Sequence, residues 1–441
     1  MNFKKTVAIA TAVGALAAVS VPAMAFENEF HGMYRMRGIM SNYENSGGGL
    51  LSNDSSTMTA FEQRARLQYA AKASDDLKLV TQFEIDSSWG DAAYNNGRGI
   101  GGGMAADTVN LETKHVYLDY NCPLTGTNFK VGIQPQSDAY KGVLFNDDLG
   151  GVFAKKSFGA VTATAGFSRM YDKGAGNVNG DHTVDLYLLD GKLAVSKDLT
   201  VGGSYYLVRD DFNHSKSADM HMVGVNAAAK FGMISGDAFL AYQGGTELYN
   251  IAQRDLSAFA AQVAAKADLG AIGTVRANVL YLSGNDGKST TKTNAWQSLT
   301  SINNTSGALT VASNNYYSSN MKLLVRNAYN MDSDKALVYN LSNVTLLTAG
   351  YDAKITDKLD ASVNLGYAMA NEKAGANSSS IGTELNAQVN YKMFANLTAS
   401  LEAAYVVLGD GMSKSTGTLL SGGVADADNP YLTTAMLNYT F

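Results

Sequence analysis

The chain has 441 residues, 46% of them hydrophobic and 17% charged, with a net charge of −6 and a sequence pI of about 5.4. An acidic chain without a basic cluster is a poor partner for nucleic acid, and its single cysteine, Cys122, excludes an internal disulfide framework. A mean hydropathy of −0.10 suits an ordinary soluble protein, and equally a set of strands with apolar and polar faces.

Lys4 and Lys5 precede the apolar run Val7 to Val21, and Ala23-Met24-Ala25 fits a signal-peptidase site. Residues 1–25 therefore read as a secretory signal peptide, with a mature chain of residues 26–441 forming one β-barrel domain. It is the one long apolar run, and spanning as a helix takes about 20 apolar residues, so no helix is expected to hold the mature chain in a membrane. Pro123, Pro135 and Pro430 fall at turns or strand ends, where a missing N–H costs no ladder bond.

Beyond this point side chains alternate with period 2. The first strand, about Glu29 to Met40, places Phe30, Tyr34 and Met36 on one face and His31, Arg35 and Arg37 on the other. After a polar loop, Ser41 to Thr57, the second strand points Phe61, Ala65, Leu67, Tyr69 and Ala71 outward and Glu62, Arg64, Arg66, Gln68 and Lys72 inward. Asp75-Asp76 turns into a third strand with Leu77, Leu79, Thr81, Phe83 and Ile85 outside and Lys78, Gln82, Glu84 and Asp86 inside.

The fourth strand has Val116, Leu118 and Tyr120 outward. Lys114 breaks its parity, which calls for a bulge. The Gly97-x-Gly99 run has no helix pattern after it and is not a phosphate loop. A fifth strand, Phe129 to Ile133, ends at Pro135 and leads into Gln136–Gly150, which holds Asp138, Lys141, Asp147 and Asp148. Hairpins follow around Phe158-Gly159, Lys197-Asp198, Phe231-Gly232 and Asp268–Ala271, with a parity slip at Asp190-Gly191 that suggests a second bulge.

Ser283 to Asn340 is a long polar segment in which Met321–Tyr329 could be a strand or a short helix. The last strands alternate most regularly: Leu359, Ala361, Val363, Leu365 and Tyr367 oppose Asp360, Ser362 and Asn364, and Leu385, Ala387, Val389 and Tyr391 oppose Glu384, Asn386, Gln388 and Asn390. A packed sandwich would need an apolar inner face. The polar one specifies a transmembrane antiparallel β-barrel of 18 strands, with 16 as the alternative, short periplasmic turns, long extracellular loops and both termini periplasmic.

These features resemble the porins of Gram-negative outer membranes: the signal peptide, period-2 strands, short turns, long polar loops, and a final strand, Tyr431 to Phe441, ending in an aromatic. The resemblance implies a water-filled outer-membrane channel for ions and small hydrophilic solutes. It also implies contact with outer-membrane lipid and lipopolysaccharide, passage through the barrel-assembly machinery with Tyr439 and Phe441 in the assembly signal, and a homotrimer as one possible assembly. In such porins an early loop folds inward with acidic residues that face basic residues on the wall. Here that assigns Asp138, Asp147 and Asp148 to the loop and Arg35, Arg37, Arg64, Arg66 and Lys78 to the wall, although the usual signature within that loop is absent. The alternative for these charges is a solvated lumen without selectivity.

No enzyme is expected. His31, His115, His182, His214 and His221 have no metal-ligand spacing, nothing positions a Ser–His–Asp site around Asp181-His182, and no cofactor is implied. The competing function is a non-conducting barrel, an adhesin or the sheath of an extracellular cytochrome, with Ser283–Asn340 as its interface.

Overall fold

The computed structural model describes residues 27–43, 53–91, 101–104, 111–172, 183–213, 216–249, 252–299, 301–302, 309–310, 316–325, 336–338, 341–373, 376–413 and 426–441. The signal-peptide assignment lies outside them. Eighteen antiparallel strands close into one barrel. They are β1 (Glu27–Ser41), β2 (Met58–Ser74), β3 (Leu77–Ser88), β4 (Glu112–Asn121), β5 (Asn128–Ser137), β6 (Asn146–Phe158), β7 (Val161–Asp172), β8 (Thr183–Ser196) and β9 (Leu199–Asn213). The second half comprises β10 (Lys216–Phe231), β11 (Ile234–Tyr249), β12 (Ala252–Asp268), β13 (Thr274–Leu282), β14 (Val344–Lys354), β15 (Leu359–Ala370), β16 (Ser380–Phe394), β17 (Leu397–Leu408) and β18 (Tyr431–Thr440). Each strand pairs with its sequence neighbours, and β1 pairs with β18 from Met33↔Thr440 to Ser41↔Leu432, which leaves no edge.

The outer face is apolar because the outward residues are Phe, Leu, Val, Ile and Tyr: Leu67, Val223, Val263, Leu365 and Leu401 are all exposed. Aromatic pairs flank this belt at both ends, Phe30–Tyr69 and Tyr120–Phe129 near the short turns and Phe61–Trp89 and Tyr242–Phe259 toward the opposite end of the barrel. Backbone groups facing lipid must be bonded within the structure, and a closed ladder does that.

Three local expectations resolve differently from one another. Lys114 is the extra residue of a bulge between β3 and β4, where the register jumps from Gln82↔His115 to Phe83↔Thr113. No bulge occurs at Asp190-Gly191, since β8 stays in register with β7 and β9 through both residues. Leu186 and Leu188 point inward and are buried, while Leu193 and Val195 point outward, so the apolar residues switch faces without a slip. Met321–Tyr329 is neither strand nor helix over its described part: residues 322–325 form bends.

Pro135 does not end β5, which continues to Ser137. Its pairing with β4 stops at Ile133, so the proline nitrogen faces no neighbour there, while pairing with β6 runs on to Ser137↔Asn146. Above Ile133 the β5–β6 hairpin therefore leaves the wall. Its tip fills the lumen, with Tyr140, Val143, Leu144 and Phe145 buried against Leu186, Tyr206, Met222 and Phe239.

Residues from the β13–β14 connection pack into the same core. Trp296, Leu299, Tyr316, Leu323, Leu324 and Leu341 are all buried there. The polar inner face expected along the whole wall thus holds for part of it. On β8 to β13 the loop-end half is apolar inside, because it carries a packed interior instead of water.

Candidate functional site

The arginine side of the lumen is set by register. In β1 and β2, Arg35 lies opposite Arg64 and Arg37 opposite Glu62; in β2 and β3, Arg64 lies opposite Asp86 and Arg66 opposite Glu84. The Arg64 guanidinium donates in bidentate fashion to Asp86, Nε to Oδ1 and Nη2 to Oδ2, both at 2.7 Å. Arg37 pairs with Glu62 and Arg66 with Glu84, and Glu84 also lies 3.4 Å from Arg64 Nε. Glu84 and Asp86 are fully buried, so these charges must be paired to be tolerated.

Arg35 has no ionic partner among the described residues and is only half-buried. Four guanidiniums thus meet three carboxylates, and the surplus positive charge resides on Arg35. Lys78 belongs elsewhere. It sits near the short turns, half-exposed, 3.9 Å from Asp119.

The acids of the 136–150 region do not oppose this wall in the expected way. Asp138 is buried and turned into its own loop. Its Oδ1 accepts the N–H of Tyr140 at 2.7 Å and of Gly142 at 2.9 Å, and its Oδ2 accepts those of Leu144 at 2.6 Å and Phe145 at 2.8 Å. Burial pushes the Asp138 carboxyl up to about 6, and the four N–H groups oppose that rise. Asp148 holds Lys114 Nζ at 2.6 Å and His115 Nε2 at 2.8 Å. Asp147 is exposed and accepts the Asp148 N–H at 2.8 Å. The carboxylates that balance the arginines come from the arginines' own sheet, on β2 and β3.

The two lumen segments are bonded to each other and to the wall. Trp296 Nε1 and Ser298 Oγ each donate to the Val143 carbonyl at 2.9 Å. Gln243 on β11 clamps Gln297 through both its amide atoms, at 2.8 and 2.7 Å. Lys141 reaches Asp237 on the same strand at 3.1 Å. Below the segments, toward the short turns, the lumen opens into a cavity of about 980 Å³ whose lining includes Lys141, Lys230, Asp237, Lys266, Arg276 and Asn278.

Sequence reasoning had Glu62, Glu84 and Asp86 on the inner face without assigning them to the arginines. The Asp75-Asp76 turn carried part of the signal; the register then shifts between Ser74↔Leu77 and Lys72↔Lys78, and that bulge brings Glu84 and Asp86 opposite Arg66 and Arg64. Glu384, which holds part of the β13–β14 connection, had no such signal because its partners lie about 60 residues away. Among the described residues no group of three His, Cys, Asp or Glu side chains is placed to hold a metal ion.

No protein-family model and no curated protein sequence matches the chain. Solved structures match over nearly its full length. A BenF-like porin from Pseudomonas fluorescens Pf-5 superposes with a TM-score of 0.55 at 13% identity, covering 94% of this chain and 98% of that one. OccAB4 of Acinetobacter baumannii gives 0.53 at 13% identity over the same shares. OccK2 (OpdF) of Pseudomonas aeruginosa, solved in complex with glucuronate, gives 0.53 at 11% identity, covering 94% and 96%. At these identities the likeness is one of fold: the chain has the 18-strand barrel fold of outer-membrane porins.

Proposed function

We propose that the protein is an outer-membrane channel through which ions and small hydrophilic solutes diffuse, with its short turns on the periplasmic side and a mild preference for anions. The observation that carries this reading is the closed barrel with an apolar exterior and a lumen lined by charge. Lumen charges act on a permeating ion without any chemical step, so the mechanism is selection by size and field. The surplus guanidinium at Arg35 makes the arginine wall net positive, which favours anions despite the chain's net −6. That one fold neighbour was solved with glucuronate makes a small organic anion a reasonable first solute to test.

A second reading, a sealed barrel serving as a scaffold, is favoured by one feature: the apolar segments packed into the lumen. Single-channel recording on the purified protein in planar bilayers separates the two. Steps of sustained conductance are expected, with a reversal potential in a salt gradient on the anion side. A barrel that folds, inserts and passes no current, whether its lumen segments are intact or loosened by mutation, would overturn the channel reading and leave the scaffold.

A further inference from the structure

We propose that residues 320–325 form an autoinhibitory strap in the lumen and that Glu384 on β16 is the latch that holds it. Glu384 is fully buried. One carboxylate oxygen, Oε2, accepts the N–H groups of Leu323 at 3.0 Å and Leu324 at 2.7 Å, and Oε1 accepts the Lys322 N–H at 2.7 Å. Three successive backbone N–H groups converging on one anion form a nest. Here the strap supplies the nest and the wall supplies the anion.

Beside the latch, Lys322 Nζ donates to Gln388 at 3.1 Å and to Glu402 at 3.0 Å, and Asn386 Nδ2 donates to the Asn320 carbonyl at 3.1 Å. The Met321 sulfur occupies the notch over Gly366, where an added Cβ would meet it at 2.2 Å. The backbone ladder bonds of the strap go elsewhere. The N–H groups of Leu337 and Val338 donate to the carbonyls of Leu323 and Leu324 at 3.0 and 2.9 Å. Strap and partner stretch thus belong to one lumen insert. Among the described residues it is joined to β15–β17 by side chains rather than by a sheet ladder, and those attachments gather on one carboxylate.

Release has two consequences. The cross-section available beside β15–β17 grows, and two carboxylates lose their strap partners, Glu384 its nest and Glu402 the Lys322 ammonium. Opening therefore also adds negative charge to the lumen and moves selectivity toward cations.

The proposal rests on the channel reading, and single-channel recording of wild type, Glu384→Gln and Gly366→Ala tests the two separately. Only protein that migrates as a folded, heat-modifiable barrel is recorded. Removing the charge that the nest binds should raise the ratio of open to latched dwell time by on the order of tenfold. Gly366→Ala displaces Met321 and should act in the same direction. Because it keeps both carboxylates, it should also shift the reversal potential further toward cations than Glu384→Gln does. Should either variant fail to fold, Lys322→Met, which loses only the contacts to Gln388 and Glu402, takes its place. A conducting wild type with variants unchanged in dwell times and conductance level overturns the strap and leaves the channel. A sealed wild type that the variants open supports the strap, whereas barrels sealed in every form overturn the channel reading itself.

Discussion

Arg35 is the guanidinium on the arginine wall that faces another guanidinium across the ladder, Arg64, whose own charge is taken up by Asp86. A passing ion therefore sees Arg35 more than its neighbours. A unit charge about 9 Å away is worth roughly 0.5 kcal/mol in water, which corresponds to a factor of about two in relative permeability. Arg35→Gln should move the reversal potential toward cations by that factor at low salt and by less at high salt, where screening shortens to a few ångströms. Arg64→Gln would instead leave Asp86 buried without its bidentate partner and should lower the yield of folded barrel. If Arg35→Gln leaves the reversal potential unmoved in a tenfold salt gradient, Arg35 does not face the permeation path. Inward parity of all four arginines was legible from period 2 alone. The pairing of Arg64 with Asp86 and of Arg66 with Glu84 needed more than parity, because the β2–β3 register is set by the Asp75-Asp76 turn together with the bulge beside it.

The lumen segments mark where period 2 stops being enough. It assigns Leu186 and Leu188 to the inner face, yet says nothing about what fills the space in front of them. An inward leucine at an aqueous wall looks like an error of parity, and the same leucine under Tyr140 and Phe145 is a core residue. Glycines on the inner face carried the missing signal. A Cβ on Gly224 would meet the Tyr140 hydroxyl at 2.6 Å, so this position is kept open for the hairpin tip. The tip itself is organised by Asp138, whose two oxygens satisfy four buried N–H groups. Asn at this position offers one oxygen and turns an NH₂ toward donors, which leaves at least two N–H groups unpaired at roughly 1–3 kcal/mol each. Asp138→Asn should therefore loosen the β5–β6 tip without opening the barrel. The check is limited proteolysis combined with the heat-modifiable gel shift. Cleavage within 138–145 should rise while the folded band persists, and wild-type protease resistance would show that the carboxylate does not organise the tip.

At the scale of the whole molecule the barrel depends on its last strand, because β18 is the partner that β1 must find to remove both open edges. That pairing joins the two ends of the described chain and has the longest loop to close, so it is the ladder whose formation costs the most chain entropy. Phe441 extends it by one step beyond Thr440. Its N–H donates to the Gly32 carbonyl at 3.1 Å, its own carbonyl accepts the Gly32 N–H at 2.9 Å, and its ring stacks on Tyr439 with centroids 5.6 Å apart. Deleting Phe441 removes two backbone hydrogen bonds at roughly 0.5–1.5 kcal/mol each, together with one ring of the outward aromatic row. The expected result is a lower fraction of heat-modifiable barrel in the outer membrane and a lower urea midpoint for the barrels that do fold. Phe441→Tyr keeps both backbone bonds and the ring, and should restore most of the yield. The two variants separate two roles. If the deletion lowers yield while the folded fraction keeps its wild-type midpoint, Phe441 acts during assembly; if both fall together, it acts by closing the ladder. Unchanged yield and midpoint would remove Phe441 from either role.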